Sequence, residues 1–156
     1  MCIRDSYEID HRILSELQKN AHLTSYELSE KLNLSQSQAG RRRQRLEREG
    51  YIKSYRAEIN GERLGLHIQA FIQVQLASHG PEQGKQFART LLTRPEIVAA
   101  WSLTGEADYL LRVFCQDLKT LNSLIQDTLL HQPAVLRVQS QIVMDQAKED
   151  SPLPTR

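Results

Sequence analysis

Apolar residues recur at intervals of three and four through the first part of the chain. Ile9, Ile13, Leu14 and Leu17 form one stripe and predict an amphipathic helix over 8–19. Thr24-Ser25-Tyr26-Glu27 has the spacing of a capping box, in which a hydroxyl accepts from a free backbone N–H and the glutamate reaches back. It opens a short second helix with Leu28 and Leu32 inward. After a turn at Asn33-Leu34, Ser35-Gln36-Ser37-Gln38 forms a second capping box for a third helix reaching about Glu49, with Gly50 placed to end it. Three short helices with a tight turn before the third describe a helix-turn-helix. Residues 51–59 alternate weakly and predict a small β wing.

From residue 67 the period changes to two. Ile68, Ala70, Ile72, Val74 and Leu76 alternate with His67, Gln69, Phe71, Gln73 and Gln75, a strand with one buried face. A turn is expected at His79-Gly80-Pro81. A helix is predicted over 82–93 with Phe87, Ala88, Leu91 and Leu92 on one side, and Arg94-Pro95 stops it. Residues 96–103 and 107–115 read as a hairpin around Thr104-Gly105-Glu106. A helix over 117–131 (Leu118, Leu121, Ile125 and Leu129 inward) ends at Pro133, and 135–145 is the last strand. The order βαββαβ is ferredoxin-like, so the fold class is α+β: an N-terminal winged helix-turn-helix plus a C-terminal ferredoxin-like sandwich. Both faces of the second hairpin strand are apolar (Tyr109, Leu111 and Val113; Leu110 and Phe114). Helices on one side cannot cover both, and a second subunit is the economical cover. The expected division is a winged helix-turn-helix domain over 7–60, a linker over 61–66 with a helical turn at Glu62-Arg63-Leu64, a ferredoxin-like domain over 67–148, and a disordered tail over 149–156. Residues 1–6 do not share the apolar period of residues 8–19 and are given no function.

Charge sharpens the picture for the third helix. Residues 35–56 hold seven basic residues (Arg41, Arg42, Arg43, Arg45, Arg48, Lys53, Arg56) against Glu47 and Glu49, whereas 61–156 carry nine basic and ten acidic. At about 100° per residue, Ala39 and Leu46 face the core and Ser37, Gln38, Arg41, Gln44, Arg45 and Arg48 face away. Arg42 and Arg43 flank the core stripe, and their stems are expected to cover apolar surface while the guanidiniums swing outward. A major groove admits one α-helix; arginine pairs with guanine, glutamine with adenine, and arginines farther along bind phosphates. The candidate DNA-binding set is Ser35, Gln36, Ser37, Gln38, Arg41, Arg42, Arg43, Gln44, Arg45, Arg48 and Lys53. A solvated helix face is the bland reading of such a run, but one-sided charge, a preceding tight turn and a succeeding wing together favour DNA.

Composition, 40% hydrophobic and 25% charged, fits a packed globular protein. No apolar run approaches a membrane span, no signal-peptide pattern opens the chain, and a cytoplasmic protein is expected. Cys2 and Cys115 offer no metal spacing and no disulfide framework, and Cys115 reads as a buried apolar residue. His11, His22, His67, His79 and His131 are scattered, so no metal, cofactor or catalytic residue is assigned.

Over about 8–148 the chain resembles the leucine-responsive regulatory protein/AsnC family of bacterial and archaeal regulators. The resemblance is carried by Ile9-Asp10-His11-Arg12-Ile13-Leu14, Leu34-Ser35-Gln36-Ser37, Arg41-Arg42 with Arg45-Leu46-Glu47, Gly50-Tyr51-Ile52 and Gly105-Glu106-Ala107-Asp108-Tyr109. It implies a winged helix-turn-helix joined to a ligand-sensing αβ sandwich, dimers whose sheets pack face to face, often larger oligomers, and amino-acid effectors near subunit interfaces. It implies an effector region of Trp101, Leu103, Thr104, Gly105, Glu106, Ala107, Asp108 and Tyr109. There the Gly105 turn would receive a carboxylate, Asp108 an ammonium, and Trp101, Leu103 and Thr104 would shape the side-chain pocket. With equal weight, Gly105 is a plain hairpin turn, Asp108 its hydrogen-bond partner, and Tyr109 and Trp101 core residues. The chain departs from the family at Arg43, where many relatives are aliphatic, and lacks the usual Leu-Asp pair ahead of Ile9.

The expected function is a DNA-binding transcription regulator, not an enzyme, that binds double-stranded DNA and responds to a small effector, an amino acid, as a homodimer or higher homo-oligomer away from membranes. The alternative is a tetrapyrrole-binding enzyme of the sirohaem decarboxylase type, which shares the two-part outline. It would need cationic partners for propionates and a nearby histidine, and no such cluster is evident. A third reading has the helix-turn-helix contact protein; the one-sided basic helix opposes it.

Overall fold

A computed structural model describes the backbone of residues 3–77 and 81–155 and the side chains of 7–77 and 82–155. The chain divides into two compact units, residues 1–58 with 148–156, and residues 59–147.

The first unit packs α1 (Ile3–Lys19), α2 (Ser25–Leu32) and α3 (Gln36–Arg48). Its core is Ile13, Leu17, Leu23, Leu28, Leu32, Ala39 and Leu46, with Ile9, Leu14, Leu34 and Ile52 against them. The 3.6-residue stripes therefore face one another as the periodicity demands. The backbone of residues 3–6 continues α1, so the helix begins five residues before the expected start at residue 8. Nothing in Ile-Arg-Asp-Ser breaks a helix, and each residue added to a formed helix gains a hydrogen bond. Both capping boxes are present: Glu27 N–H donates to Thr24 Oγ1 at 3.2 Å and Thr24 N–H to Glu27 Oε2 at 2.7 Å. Gln38 N–H donates to Ser35 Oγ at 3.2 Å and Ser35 N–H to Gln38 Oε1 at 3.0 Å. Gly50 succeeds α3 at φ +78°, a conformation open to glycine.

One expectation fails here. Residues 51–60 contain no strand. A paired wing strand needs a second strand beside it, and among the described residues of this chain none pairs with this segment. After Gly50 the chain runs on to a single 3₁₀ turn at Glu62–Leu64, where a helical turn is expected.

The second unit contains β1 (Ile68–Leu76), α4 (Pro81–Thr93), β2 (Ile97–Ser102), β3 (Tyr109–Cys115), α5 (Leu118–Ser123) and β4 (Val135–Ile142). The expected turn at His79-Gly80-Pro81 lies, for His79 and Gly80, outside the described residues; so does Cys2. The strands form one antiparallel sheet in the order β2-β3-β1-β4. That is the ferredoxin-like arrangement implied by βαββαβ. Ala70, Ile72, Val74, Leu76, Leu111, Val113 and Cys115 face the helices and pack with Phe87, Leu91, Leu121, Leu124 and Leu129. Burial pushes the Cys115 thiol above its ordinary range, consistent with an inert core residue.

Two inward assignments need correction. Leu92 is 87% exposed, lying beyond the edge of the stripe that seats Phe87 and Leu91. Leu118 is 58% exposed, and after Ser123 the helix widens into π turns over Leu124–Leu129, with Leu130 N–H donating to Ile125 O at 2.9 Å. The wider turn moves Leu124 and Thr128 inside beside Leu121 and Leu129.

The helices cover only one sheet face. On the other, pairing aligns Trp101 with Leu110 and Phe71 with Arg112 and Gln141, so Trp101, Leu110, Phe71 and Phe114 share it with Gln73, Gln75, Gln139 and Arg137. Within the chain Trp101 is exposed and Leu110, Phe71 and Phe114 are half-buried. The 149–156 tail, expected to be disordered, has no helix or strand among its described residues. It is nevertheless held at Leu153, whose N–H donates to Gln18 Oε1 at 2.6 Å and whose carbonyl accepts from Gln18 Nε2 at 3.1 Å.

Candidate nucleic-acid interface and effector loop

The five arginines of α3 separate into two groups. Arg42 Nη1 donates to Asp10 Oδ1 at 2.8 Å, and Arg45 Nη2 donates to Asp10 Oδ2. Asp10 is only 7% exposed, so one buried carboxylate on α1 binds two guanidiniums of α3. Arg43 Nη1 donates to the Leu23 carbonyl at 2.6 Å, and its Nε donates to Glu47 Oε1 and Tyr55 Oη, both at 3.1 Å. The expectation that Arg42 and Arg43 swing their guanidiniums outward is therefore corrected: both turn into the unit. An apolar stem beside the core carries its charge inward where a buried acceptor offers a better partner than water. Arg45, expected on the outer face, lies at its edge with its Nη2 committed to Asp10.

Arg41 and Arg48 remain exposed. Arg41 Nε makes one contact at 3.4 Å to the Ser37 carbonyl, within its own helix. At 100° per residue Ser37, Gln44, Arg48 and Arg41 fall within an arc of about 60° opposite Ala39 and Leu46. All four are exposed, as are Ser35, Gln36, Gln38 and Lys53. Ser35 and Gln38 also serve the cap, and Ser35 Oγ lies 3.2 Å from Ser37 Oγ. This arc offers hydroxyl, amide and two guanidinium groups, with no carboxylate among them. It is chemically suited to base edges and phosphates.

Two features outside the sequence-level set organise the inner arginines: Asp10, and the Glu47–Tyr55 pair. Tyr55 Oη donates to Glu47 Oε1 at 2.8 Å, and the Arg43 guanidinium carbon lies 5.0 Å from the Tyr55 ring centre. The Tyr55 hydroxyl and the Arg43 cation hold the Glu47 carboxyl below its ordinary range. Burial raises the Tyr55 phenol. No periodicity reports contacts spanning 8 to 35 residues. The available signal is the presence of Asp10 and Glu47 in the stretches that carry the family resemblance.

In the second unit, Gly105 has φ +121° at the hairpin between β2 and β3. Asp108 fastens this loop to the sheet: its N–H donates to the Val74 carbonyl at 2.9 Å, its carbonyl accepts from Leu103 N–H at 2.9 Å, and its Oδ2 accepts from Leu76 N–H at 2.7 Å. This side-chain bond ties the loop to β1. Trp101, Leu103, Thr104 and Glu106 are exposed, and Ala107 is half-buried. Tyr109 is half-buried and turned toward the core, 5.1 Å from the Phe87 ring centre. The structure thus gathers Glu106 and Ala107 with Gln73, Gln75, Arg137 and Gln139 around a cleft of about 30 Å³, and leaves Tyr109 on the helix side. Among the described residues no group of three or more metal-ligating side chains occurs, and no helix is long and apolar enough to cross a membrane.

Comparison with known proteins bears on both units. Residues 8–53 match a winged helix-turn-helix DNA-binding model, and 69–153 match the Lrp/AsnC ligand binding domain. The leucine-responsive regulatory proteins of Escherichia coli (strain K12) and Salmonella typhimurium are each 32% identical over 150 residues, 96% of this chain and 92% of theirs. A transcriptional regulator from Neisseria meningitidis, solved as a complex with L-methionine, is 37% identical with TM-score 0.89, covering 94% of each chain. An AsnC family regulator from Agrobacterium tumefaciens is 29% identical with TM-score 0.86, covering 94% of this chain and 95% of its own.

Proposed function

The chain belongs to the Lrp/AsnC family of DNA-binding transcription regulators, and on that footing we propose which of its surfaces act in DNA binding and in sensing. The exposed arc of α3 enters the major groove. Ser37 and Gln44 face base edges, Arg41 and Arg48 face phosphate or guanine, and Ser35, Gln36, Gln38 and Lys53 border them. Arg42, Arg43 and Arg45 contribute by fixing how α3 sits on α1 and α2. The observation that carries this reading is the division of the arginines: three bound inside the unit, two exposed opposite the core.

The open sheet face, with Trp101, Leu110, Phe71 and Phe114, takes a second copy of the chain. A two-fold dimer presents two α3 helices to successive major-groove turns about 34 Å apart and reads a pseudo-palindromic site. The effector is an amino acid at the loop 101–109, supported by the methionine complex of the Neisseria relative. Backbone N–H groups around Gly105 receive its carboxylate, and Glu106 at the edge of the cleft receives its ammonium. Asp108 holds the loop in place through Leu76. The ligand shifts the oligomer or its DNA affinity only as far as it binds the two states unequally. A regulator of this kind works where the DNA is, which places it in the cytoplasm. The tetrapyrrole-decarboxylase alternative gains no support from these matches.

A thermal-shift screen of the full chain against the twenty amino acids tests the sensing half. A ligand at a hundred times its Kd stabilises by about 2.7 kcal/mol. A shift that Gly105→Ala and Glu106→Gln both abolish supports the loop; a shift both variants retain places the site elsewhere.

A further inference from the structure

Among the described residues of this chain no strand pairs with the segment after α3, yet one of its side chains is anchored at several points. We propose that Tyr55 is a positioning residue for DNA binding: a latch to Glu47 and Arg43 holds the strandless segment beside α3 so that Lys53 and Arg56 meet the phosphate backbone. This rests on the reading that α3 faces DNA.

The latch is built from both ends. Tyr55 Oη donates to Glu47 at 2.8 Å and accepts from Arg43 Nε at 3.1 Å, while the guanidinium stacks over the ring at 5.0 Å. Arg43 is itself tied to the Leu23 carbonyl at 2.6 Å, ahead of α2. The phenol is therefore fixed to a side chain that links α3 to the start of α2. Glu47 also neutralises Arg43, so the charge retained at this end belongs to its neighbours. Lys53 and Arg56 stand two residues before and one after Tyr55, both exposed, and neither pairs with a carboxylate among the described residues. One residue of extended chain spans at most about 3.6 Å, so fixing Tyr55 confines the Cα atoms of Lys53 and Arg56 to within about 7 Å of its own. In a two-stranded wing, backbone hydrogen bonds would impose that order. Here side-chain contacts supply it.

The test is the salt dependence of full-chain binding to a fluorescent duplex, measured beside thermal denaturation. Removing one phosphate contact flattens the slope of log K against log salt by about 0.9, equivalent to about a 3.5-fold smaller affinity loss between 50 and 200 mM salt. Lys53→Ala and Arg56→Ala should each flatten the slope. Tyr55→Ala should flatten it as much as the Lys53→Ala/Arg56→Ala pair, and add nothing when combined with that pair. Tyr55→Phe, which keeps the ring and loses the hydroxyl, should fall between Tyr55→Ala and the parent with little change in Tm. If Arg41→Ala flattens the slope while the Tyr55 variants leave it at the parent value, the latch has no part in binding. The same holds if the Tyr55 variants lower only the Tm. If Arg41→Ala also leaves the slope unchanged, the reading of α3 beneath the proposal fails as well.

Discussion

Replacing Asp10 with asparagine should destabilise the protein and strengthen its electrostatic attraction to DNA. The carboxylate is 7% exposed and bonds both Arg42, at 2.8 Å, and Arg45. Removing one partner from a buried ion pair costs about 3–5 kcal/mol because the remaining charge is left uncompensated. Two guanidiniums lose a partner here, Arg45 keeping Glu49 at 4.0 Å, and they differ in their escape. The Arg42 side chain is 12% exposed and stays confined; that of Arg45 is 36% exposed and can turn to water. The expected loss is therefore below the buried limit, about 2–3 kcal/mol. For a unit of this size that lowers Tm by about 10–20 °C. Below the new Tm, an Arg45 released toward the DNA face should steepen the salt slope by about 0.9 for each phosphate it reaches. Differential scanning calorimetry and anisotropy titrations at several salt concentrations measure the two effects. A Tm within about 2 °C of the parent would refute the buried-pair reasoning. Lower stability with an unchanged slope would refute the claim that Asp10 withholds a cation from DNA.

Arg41→Ala should weaken duplex binding without lowering Tm, since its one contact is within its own helix; circular dichroism melting checks the second half. Leu46→Ala should cost about 2–5 kcal/mol, because Leu46 is enclosed in the core and its truncation leaves a cavity beneath α3; a urea titration measures it. The lowered Glu47 pKa stabilises the folded state above the unfolded carboxyl pKa, and that stability is lost as pH falls through the folded value. Glu47→Gln should accordingly melt lower than the parent at pH 7, and the gap should close as pH falls through the lowered folded value. Leu110→Asp on the open sheet face should shift the chain toward monomer in sedimentation equilibrium, with weaker DNA binding because a monomer engages one half-site at a time.

What the sequence disclosed, and what it hid, depends on the range of each interaction. Capping boxes at Thr24 and Ser35 join residues three apart, and the stripes of α1 and β1 are set by the local period; both are legible. The Arg41–Arg48 run looks like one basic face because charge alone carries no partner. Its division needs Asp10, 32 and 35 positions away, and Leu23, 20 away. Residues 51–60 form no strand within the chain although 51–59 alternates weakly, because alternation reports an extended backbone and not whether a second strand is present. The π turns after Ser123 bring Leu124 and Thr128 inside because an even 3.6 period cannot anticipate a local change of pitch. In the effector loop Gly105 and Asp108 stand out as turn residues. The sheet bonds of Asp108 to Leu76 and Val74, and the glutamines beside Glu106, come from β1 and β4, and only the strand order brings them together.

The most direct test is the salt slope of the full chain on a duplex, compared with that of the Arg41→Ala/Arg48→Ala double variant. The expected result is steep dependence in the parent and a double variant flatter by about 0.9 for each phosphate it no longer neutralises, with the Tm unchanged. Equal slopes in the two proteins, or a double variant that loses its fold, would contradict the assignment of these two arginines to DNA.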